Sequence, residues 1–467
     1  MRILLFIVLL SYLKTGAQSL APVSLDKFSD ATVVFNDSVH NKLIVSSKGT
    51  STIGNLYIRG IATWDGTKWD SLSGGINTHN KVIMPNNPAG IAGVSIEYNG
   101  KQLVGGYFSS MGYVNSTGLA LWDGIKWDSL PKRAFRFEQD VVVNCFFKKG
   151  GLLYISGQFD TIAGQPTNCI GTWDGVNFNP IILPISSISS SDFRISSIVE
   201  FQNEIYICGG LFNIGPVNSA PDVYKFNGST WVSTTGTGFY GSYDGVSHLI
   251  VYNNELYGCG HMSTSTGNPG NNIIKWNGAS WQDVGFGNTP SFINIQQMLV
   301  YHNQLWVFGV FSKAANVHAS NIAIYDGANW CVLPDTFNNQ VNSAAIYRDT
   351  IYVSGAFTKI NSDTNMAYIA KIKYPTLYSQ CVNVGIKENI NDNSLNVYPN
   401  PTNSILNIVD ENNPLQNATI QIKNHLGQFV FTAPFTSQIN LSSLSAGMYF
   451  LTIQDKFNKK TVKIIKQ

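Results

Sequence analysis

Seven histidines are the residues of this chain best suited to hold a metal ion or to transfer protons. They are His40, His79, His248, His261, His302, His318 and His425. None of them forms the HExxH or HxH spacing that brings two imidazoles to one metal ion. The sequence also contains no nucleophile elbow, phosphate-binding loop or dinucleotide-binding fingerprint. We therefore predict no catalytic, cofactor-binding or metal-binding residues, so an enzymatic activity is the weaker hypothesis.

One short aromatic phrase recurs six times, and each copy contains an Asp or Asn followed directly by Gly. These pairs are Asp65-Gly66, Asp123-Gly124, Asp174-Gly175, Asn227-Gly228, Asn277-Gly278 and Asp326-Gly327. A carboxylate at this place could bind calcium, but Asn227 and Asn277 lack the charge that such a site uses. Asp and Asn also accept hydrogen bonds within tight turns, and Gly tolerates positive φ. We interpret the six pairs as structural turns.

Each turn lies between two aromatic residues, as in Trp64-Asp65-Gly66 followed by Trp69. The Asp or Asn positions are 58, 51, 53, 50 and 49 residues apart along the chain. A period near fifty residues with strand-like segments is typical of a blade-by-blade array. Aromatic rings at the same place in every repeat are expected to fill the core between neighbouring repeats.

Aromatic residues outside this register are better candidates for contact with a ligand, because irregular loops often carry binding residues. They are Phe135, Phe137, Phe239, Tyr240, Tyr243 and Phe286. Tyr and Trp rings elsewhere in the chain could also support a sugar, although their regular spacing favours a role in the core.

A hydrophobic strand that ends in glycine precedes each aromatic turn, for example at 153–159 and 305–311. Another strand precedes that one, as at 198–203, so each repeat predicts an antiparallel sheet of four strands. The glycines fit a position where two backbones approach closely. If Asp65 and Gly66 are the centre of a two-residue hairpin, Trp64 faces Thr67 and Ala62 faces Trp69. Trp64 and Trp69 would then lie on one face of the sheet.

A weaker first copy at residues 43–47 brings the number of repeats to seven. The predicted fold class is all-β, a seven-bladed β-propeller with six blades as the alternative. The last repeat lacks a clear fourth strand, and residues 21–25 near the N-terminus could supply it. Such pairing would join the first and last sheets and remove free edges.

The pattern of hydrophobic strand, Gly-Gly, and aromatic-Asp turn followed by Trp resembles kelch-type propeller repeats over residues 21–376. Gly105-Gly106 and Gly209-Gly210 carry the double glycine, while the turn is shorter than in kelch repeats proper. The pattern is still more similar to short repeats of bacterial surface proteins that read Gly-Gly-x-Phe and then Trp-Asp-Gly-x-x-Trp. The resemblance implies propeller architecture for residues 18–376.

The first 17 residues are typical of a signal peptide, with Arg2, an apolar stretch at 3–13 and small residues at 15–17. No later segment is long and apolar enough to predict a membrane-spanning helix. Without Arg2 and Lys14, 28 basic residues balance 28 acidic residues. This balance argues against nucleic acid or an anionic membrane as the main partner. The six cysteines show no metal-like spacing, and we expect most of them to be buried free thiols.

Residues 377–392 are polar and predict a linker, and residues 393–467 predict a small antiparallel β-sandwich. The C-terminal segment resembles the type A sorting domain of the type IX secretion system of the Bacteroidetes. The matching residues include Tyr398, Pro399, Asn400, Pro401, Thr402, His425, Leu426, Gly427, Gln428, Gly447 and Tyr449, followed by the basic segment 459–466. The resemblance implies a partnership with that secretion machinery, passage across the outer membrane, and either release or attachment to the cell surface.

Together these patterns predict a secreted or cell-surface binding protein that recognises glycan or protein through its loop face. A propeller hydrolase or lyase acting on polysaccharide is one alternative. A purely structural element of the cell surface is another.

Overall fold

The computed structural model describes residues 20–24, 31–77, 91–130, 135–136, 141–167, 169–183, 194–209, 223–234, 245–262, 269–287, 294–315, 317–372, 395–410, 418–424, 428–454 and 459–467. All regular elements in these residues are β-strands. The chain divides into two compact units, Met1–Cys381 and Val382–Gln467.

The strands of the first unit are numbered in chain order. The first twelve are β1 (Leu20–Ala21), β2 (Val33–Asp37), β3 (Lys42–Ile53), β4 (Leu56–Trp64), β5 (Trp69–Ser71), β6 (Ile76–Asn77), β7 (Ile91–Tyr98), β8 (Lys101–Tyr107), β9 (Ser110–Met111), β10 (Val114–Asn115), β11 (Leu119–Trp122) and β12 (Trp127–Asp128). The next twelve are β13 (Phe135–Arg136), β14 (Val142–Lys149), β15 (Leu152–Gln158), β16 (Thr161–Ile162), β17 (Gln165–Pro166), β18 (Ile170–Trp173), β19 (Phe178–Pro180), β20 (Ser197–Phe201), β21 (Glu204–Cys208), β22 (Val223–Phe226), β23 (Trp231–Ser233) and β24 (Gly245–Tyr252). The last twelve are β25 (Glu255–His261), β26 (Ile273–Trp276), β27 (Trp281–Asp283), β28 (Asn294–Tyr301), β29 (Gln304–Val310), β30 (Lys313–Ala314), β31 (Val317–His318), β32 (Ile322–Tyr325), β33 (Trp330–Val332), β34 (Val341–Ile346), β35 (Ile351–Gly355) and β36 (Ile369–Ile372).

Within the described residues these strands form seven antiparallel four-stranded units, here called sheets 1 to 7. Their strand orders are β2-β3-β4-β5, β7-β8-β11-β12, β14-β15-β18-β19, β20-β21-β22-β23, β24-β25-β26-β27, β28-β29-β32-β33 and β34-β35-β36-β1. A single pair, Val142 with Tyr107, links sheets 2 and 3. Short hairpins such as β9–β10 and β30–β31 extend the connection between the second and third strands.

The N-terminal strand β1 completes sheet 7, because Leu20 pairs with Ile372 and Ala21 pairs with Lys371. The prediction that N-terminal residues supply the missing fourth strand is therefore confirmed for Ala21, and the pairing begins one residue earlier. Leu20 is only 1% exposed and lies in the hydrophobic cluster shared by sheets 6 and 7. The pairing thus ties the start of the chain to its last repeat.

Hydrophobic clusters fill the interface between each sheet and the next along the chain. Six clusters join sheets 1–2, 2–3, 3–4, 4–5, 5–6 and 6–7. A seventh cluster joins sheet 7 to sheet 1, where Tyr352 and Ala345 pack with Trp64 and Leu43. Burying rings of this size contributes on the order of 2–3 kcal/mol each by area. Each of sheets 1 to 7 therefore has two neighbouring sheets.

In six sheets a glycine at the end of the second strand, or within one residue of it, lies against the first strand. These glycines are Gly106, Gly157, Gly209, Gly260, Gly309 and Gly355. A Cβ atom on Gly157 would lie 1.9 Å from the carbonyl oxygen of Val142. A register shift interrupts the first strand close to this contact in sheet 3, between Val143 and Cys145. The predicted close approach of two backbones is confirmed, and in sheet 3 it coincides with a bulge in the first strand.

The turn between the third and fourth strands differs from the predicted hairpin. Trp64 pairs directly with Trp69, and Ala62 pairs with Ser71. The loop therefore contains four residues, and the prediction that Trp64 faces Thr67 and Ala62 faces Trp69 is wrong. Gly66 alone has positive φ, at 97°, and Asp65 does not, so this is not the two-residue turn. The two indoles still share one face, with ring centroids 5.0 Å apart.

The second unit contains seven described strands. They are β37 (Leu395–Tyr398), β38 (Ile405–Asp410), β39 (Thr419–Asn424), β40 (Phe429–Pro434), β41 (Gln438–Asn440), β42 (Gly447–Gln454) and β43 (Lys459–Lys466). They form two antiparallel sheets, in the orders β37-β38-β41 and β40-β39-β42-β43. One hydrophobic cluster joins the two sheets, with Leu406 and Ile408 from one and Ile420 and Leu451 from the other.

Candidate functional site

The aromatic residues on either side of each turn pack against the preceding sheet. Their ring centroids lie 4.2 to 5.3 Å apart in all six pairs. The first ring of the pair is at most 7% exposed in the five pairs that begin with Trp64, Trp122, Trp173, Trp276 and Tyr325. The exception is Phe226, which remains partly exposed at the interface between sheets 3 and 4.

In sheets 4 and 5, a tyrosine of the second strand packs against the following sheet, and an ion pair lies beside its hydroxyl. In sheet 4, Lys225 Nζ lies 3.0 Å from a carboxylate oxygen of Glu204, which also accepts a hydrogen bond of 3.1 Å from the Tyr206 hydroxyl. Sheet 5 repeats this arrangement. Its residues are Glu255, Tyr257 and Lys275. Burial, together with the adjoining Glu204 carboxylate, raises the pKa of Tyr206, so its hydroxyl stays protonated and donates.

Sheet 3 has neutral residues where sheets 4 and 5 have the acid and the base. Tyr154 pairs with Thr172 across the strands, just as Tyr206 pairs with Lys225. Two residues before Tyr154 is Leu152, which takes the place of Glu204. The sheet therefore keeps the tyrosine and lacks both charged partners. Burial raises the pKa of Tyr154, which remains a neutral hydrogen-bonding group.

The first hairpin of sheet 3, between β14 and β15, also leaves uncovered the Asn227-Gly228 turn of sheet 4. Between sheets 1 and 2, a Cβ on Gly124 in the turn of sheet 2 would lie 2.8 Å from the ring of His40 in the first hairpin of sheet 1. Between sheets 7 and 1, a Cβ on Gly66 would likewise lie 2.5 Å from Arg348 in the first hairpin of sheet 7. The hairpin of sheet 3 consists of Gly150-Gly151, which has no side chain, and no atom lies within 4 Å of a Cβ placed on Gly228. Gly278 is equally open, but its interface retains the Glu204–Lys225 pair.

A cavity of about 550 Å³ opens at this interface, and we call it the cleft. Its lining comprises aromatic, hydroxyl and aliphatic side chains, namely Tyr154, Phe226, Trp231, Thr172, Ser229, Thr230, Leu152, Ile181, Ile182 and Leu183. The volume lies within the range of small-molecule sites. No Asp, Glu, Lys or Arg belongs to the described lining.

Several hydrogen-bonding groups of the cleft have no protein partner among the described residues. The indole N–H of Trp231 makes no hydrogen bond there. Of the equivalent indoles, Trp281 donates to Thr234 Oγ1 at 3.1 Å and Trp330 to the Val284 carbonyl at 3.0 Å, while that of Trp127 is buried without a described partner. The hydroxyls of Tyr154 and Thr172 are likewise unpartnered within the described chain, unlike that of Tyr206. Such groups can be satisfied by a polar ligand or by water.

The six Asp-Gly and Asn-Gly positions predicted as turns share one hydrogen-bond pattern. In each, Oδ1 of the Asp or Asn accepts the backbone N–H groups two and three residues later, at 2.6 to 3.0 Å. The Thr67 hydroxyl and the Lys68 and Thr67 amides lower the pKa of Asp65 to about 2. Asn227 and Asn277 use an amide oxygen for the same contacts, so charge is not required. These oxygens are occupied within the turn itself.

The aromatic residues outside the repeat register do not form a described binding site. Phe286 is 1% exposed and packs edge-on against Phe311 and Trp330, with ring centroids 5.3 and 4.9 Å away. The interpretation of Phe286 as a ligand contact is therefore wrong, because its ring is part of the core. The backbone of Phe135 pairs with Ile162 in β13. Phe137, Phe239, Tyr240 and Tyr243 lie outside the described residues.

Titratable groups do not converge on a reaction centre in the described part of the chain. No group of three or more metal-ligating side chains was found among the described residues. His302 pairs with Asp349 and His40 with Asp37, each at 2.8 Å. Burial raises the pKa of Cys145 to about 11, and Cys145, Cys169, Cys208 and Cys259 are not disulfide-bonded. Cys331 is disulfide-bonded.

The residues of the C-terminal sorting motif join the start of the second unit to its last strand. The side chain of Asn400 donates to the Lys463 carbonyl at 2.8 Å and accepts the Ile465 amide at 2.9 Å. Pro399 and Pro401, on either side of Asn400, each follow a cis peptide bond. The two hydrogen bonds of Asn400 connect the motif to the basic strand β43.

Two further motif residues lie in β42, where Gly447 pairs with Lys466 and Tyr449 pairs with Ile464 of the same strand β43. Gly447 begins β42, and the hydroxyl of Tyr449 donates to the Ser445 carbonyl at 2.9 Å. Tyr449 is 8% exposed, whereas Tyr398 is 53% exposed. The described motif residues are therefore largely structural, and of these two rings that of Tyr398 is the more accessible.

A model of the secretion system C-terminal sorting domain matches residues 396–467. This match indicates export by the type IX secretion system, so the protein is secreted or displayed at the cell surface. No helix in the described residues has the length and apolar character needed to cross a membrane.

No curated protein matches the chain. Among solved structures, the chain is similar to the extracellular domain of the putative hybrid two-component system BT3049 from B. thetaiotaomicron, with 12% identity, a TM-score of 0.46, and coverage of 96% of this chain and 57% of that chain. The corresponding domain of BT4673 from the same organism gives 11% identity, a TM-score of 0.46, and coverage of 97% and 59%. This chain thus spans less than three fifths of the length of either structure.

The residues of the cleft were not identified from the sequence, although a signal for them exists. Aligning the repeats on their tyrosines places Leu152 with Glu204 and Glu255, and Thr172 with Lys225 and Lys275. The loss of both charges in one repeat is visible in that alignment. The cleft that results depends on how sheets 3 and 4 pack against each other, and that packing is seen only in the structure.

Proposed function

We propose that this protein is an exported seven-bladed β-propeller of kelch-like repeats that binds glycan outside the cell. In this proposal residues 1–17 are a signal peptide, residues 18–376 form the propeller, residues 377–392 are a linker, and residues 393–467 direct export. The closed order of neighbours supports the propeller, since the hydrophobic cluster of Tyr352 and Trp64 joins sheet 7 to sheet 1.

Hydrogen bonds between consecutive sheets give independent support to this arrangement. In four sheets, a side chain at the end of the first strand donates to a carbonyl in the first hairpin of the next sheet. The bonds are Lys149 Nζ to Asn203, Tyr252 to Asn303, Tyr301 to Asp349 and Tyr347 to Asn41, at 2.6 to 3.1 Å. A repeated contact that includes the step from the last sheet to the first is expected of a closed ring.

One observation carries the binding function, namely the open cleft between sheets 3 and 4. The other aromatic pairs bury their first ring, whereas here Phe226 is partly exposed beside a cavity of about 550 Å³. Aromatic carbon surface together with hydroxyl and N–H groups matches the two kinds of surface that a sugar presents. The first hairpin and the turn of Asn227-Gly228 border this cleft, so it opens on a loop-bearing edge of the sheets.

A glycan array tests the proposal directly. The mature exported chain, labelled on exposed lysines, should bind a restricted set of immobilised glycans and not the blank spots. Protein unfolded and applied under the same conditions serves as the control for adhesion. Absence of glycan binding, combined with capture of a protein partner from the cell surface, would replace the proposal with a protein-binding function.

A second experiment separates export from binding. A chain that lacks residues 393–467 should accumulate inside the cell envelope, while the purified truncated chain should keep its glycan preference. Appearance of the truncated chain in the culture medium at the normal level would contradict the role of the tail.

A further inference from the structure

The geometry points to the cleft between sheets 3 and 4 as a subsite for an uncharged sugar ring. This inference rests on the proposed function and names the place and the chemistry of recognition. Its basis is the comparison of one interface with its neighbours in the same chain. The cleft exists where a Glu–Lys pair is replaced by Leu152 and Thr172.

The replacement changes the volume and the charge of the interface together. In sheet 4, the side chains of Glu204 and Lys225 meet at 3.0 Å and cover the outer surface beside Tyr206. Leucine and threonine at these positions are shorter, and neither carries charge. No described side chain fills the space they leave, and the lining residues carry no charge. The nearby Lys149, whose charge reaches Tyr154, is paired with Glu200 at 2.8 Å. This setting favours a ligand without ionised groups.

The polar groups around the space can serve a ligand rich in hydroxyls. The Trp231 indole offers a donor, and the Tyr154 and Thr172 hydroxyls can donate or accept. None of these three has a side-chain hydrogen-bond partner in the described chain, and their positions on two different sheets surround the cavity. A ligand that carries several hydroxyls can satisfy all of them at once, which an apolar molecule cannot do.

The apolar part of the lining provides the complementary surface. Phe226 and Trp231 form a ring pair with centroids 5.1 Å apart, and the partly exposed Phe226 faces the shared interface. Sugar rings have carbon faces that pack on aromatic rings, while their edges form hydrogen bonds. A neutral pyranose fits this combination better than an acidic sugar, because no cation in the described lining could pair with a carboxylate.

The test is a binding titration of the mature chain with maltotriose, cellotriose and mannotriose, with sialyllactose as the acidic probe. We expect at least one neutral trisaccharide to bind and to perturb tryptophan fluorescence, and sialyllactose to bind more weakly. Tyr154→Phe and Trp231→Phe each remove one polar group and keep a ring, so each should weaken binding by about tenfold. The matched control, Trp281→Phe, removes an indole donor that is already bonded to Thr234, and should leave affinity within about twofold.

A second variant tests the origin of the cleft. Leu152→Glu combined with Thr172→Lys rebuilds the charged pair of sheets 4 and 5, and should abolish trisaccharide binding while circular dichroism and the melting temperature show a folded protein. Unchanged binding in the folded double variant would overturn the inference. If the double variant does not fold, the two phenylalanine variants decide the matter.

The outcomes distinguish failure of the inference about the cleft from failure of the proposed glycan-binding function. Glycan binding that persists with unchanged affinity in Tyr154→Phe and Trp231→Phe would place the sugar elsewhere on the protein and leave the proposed function intact. Binding of no neutral trisaccharide, with binding of sialyllactose, would overturn the neutral-sugar inference alone. No binding either to these probes or to the glycan array would overturn both.

Discussion

The hydroxyl of Tyr347 donates a hydrogen bond to the carbonyl oxygen of Asn41 at 2.9 Å, although 306 positions separate the two residues in the chain. Tyr347 follows the first strand of sheet 7, and Asn41 lies in the first hairpin of sheet 1. The same kind of bond joins Tyr301 to Asp349 one sheet earlier, at 2.6 Å. The last repeat thus contacts the first in the way that consecutive repeats contact each other.

Removing the Tyr347 hydroxyl tests this connection. Tyr347→Phe should lower the free energy of unfolding by about 1 kcal/mol, because the buried ring stays in place while one partly buried hydrogen bond is lost. Denaturant titration of the mature chain measures the change. Tyr57→Phe is the matched control, since Tyr57 is 59% exposed and its hydroxyl has no described partner. Equal stability of the two variants would contradict a contribution from the Tyr347–Asn41 contact.

The glycines at the end of the second strands predict a large and position-specific effect. Gly157→Ala would place a methyl group 1.9 Å from the Val142 carbonyl oxygen, so the two strands would have to separate. We expect a loss of about 3 kcal/mol or more, seen as a lower melting temperature or a loss of soluble protein. Gly93→Ala provides the control, because no atom lies within 4 Å of the new methyl group. Similar behaviour of both alanine variants would contradict the close-approach explanation.

His248 predicts a pH dependence of stability. Burial lowers the pKa of His248 to about 4, whereas an exposed imidazole titrates at about 6.5. Between these values the unfolded chain binds a proton that the folded chain does not, so stability is complete above about pH 6.5 and falls as the pH decreases toward 4. The loss should be about 1–3 kcal/mol. His248→Gln should flatten the melting-temperature profile over this interval, and an unchanged slope would show that His248 is not responsible.

The carboxylate of Asp65 predicts a second pH dependence of stability, at lower pH than that of His248. Hydrogen bonds from the Thr67 hydroxyl and the Lys68 amide hold the pKa of Asp65 at about 2, below its usual 3.8. The stabilisation is present above the ordinary pKa and is lost as the pH falls toward 2. Asp65→Asn should keep the turn, as Asn277 does naturally, and should remove this dependence. Asp65→Ala should be less stable than Asp65→Asn at neutral pH, where melting temperatures of the two are compared.

Much of the repeat was predictable because its signals are local. The spacing of Asp65, Asp123 and Asp174 reports one turn per sheet, and the strand glycines report close backbone contacts. The match of residues 396–467 to the sorting domain follows from short motifs such as Tyr398-Pro399-Asn400-Pro401. That residues near the N-terminus complete the last sheet was also predictable, since the last repeat lacked one strand, whereas the register that pairs Ala21 with Lys371 was not.

The remaining features depend on contacts between repeats, which a periodic pattern does not specify. The four-residue turn was misjudged because Asp65-Gly66 fits a two-residue hairpin equally well by residue type. Phe286 was misjudged because its position outside the register says nothing of Phe311 and Trp330 on the next sheet. The cleft was missed because it arises from two replacements, Leu152 and Thr172, whose effect is seen only across an interface.

The most direct test of the account is a crystal structure of the mature chain with the neutral trisaccharide that binds best in titration. The account predicts sugar density between sheets 3 and 4, with ring hydroxyls within hydrogen-bond distance of the Trp231 indole nitrogen and the Tyr154 oxygen. Sugar density elsewhere on the protein, with the space beside Leu152 and Thr172 holding only water, would contradict it.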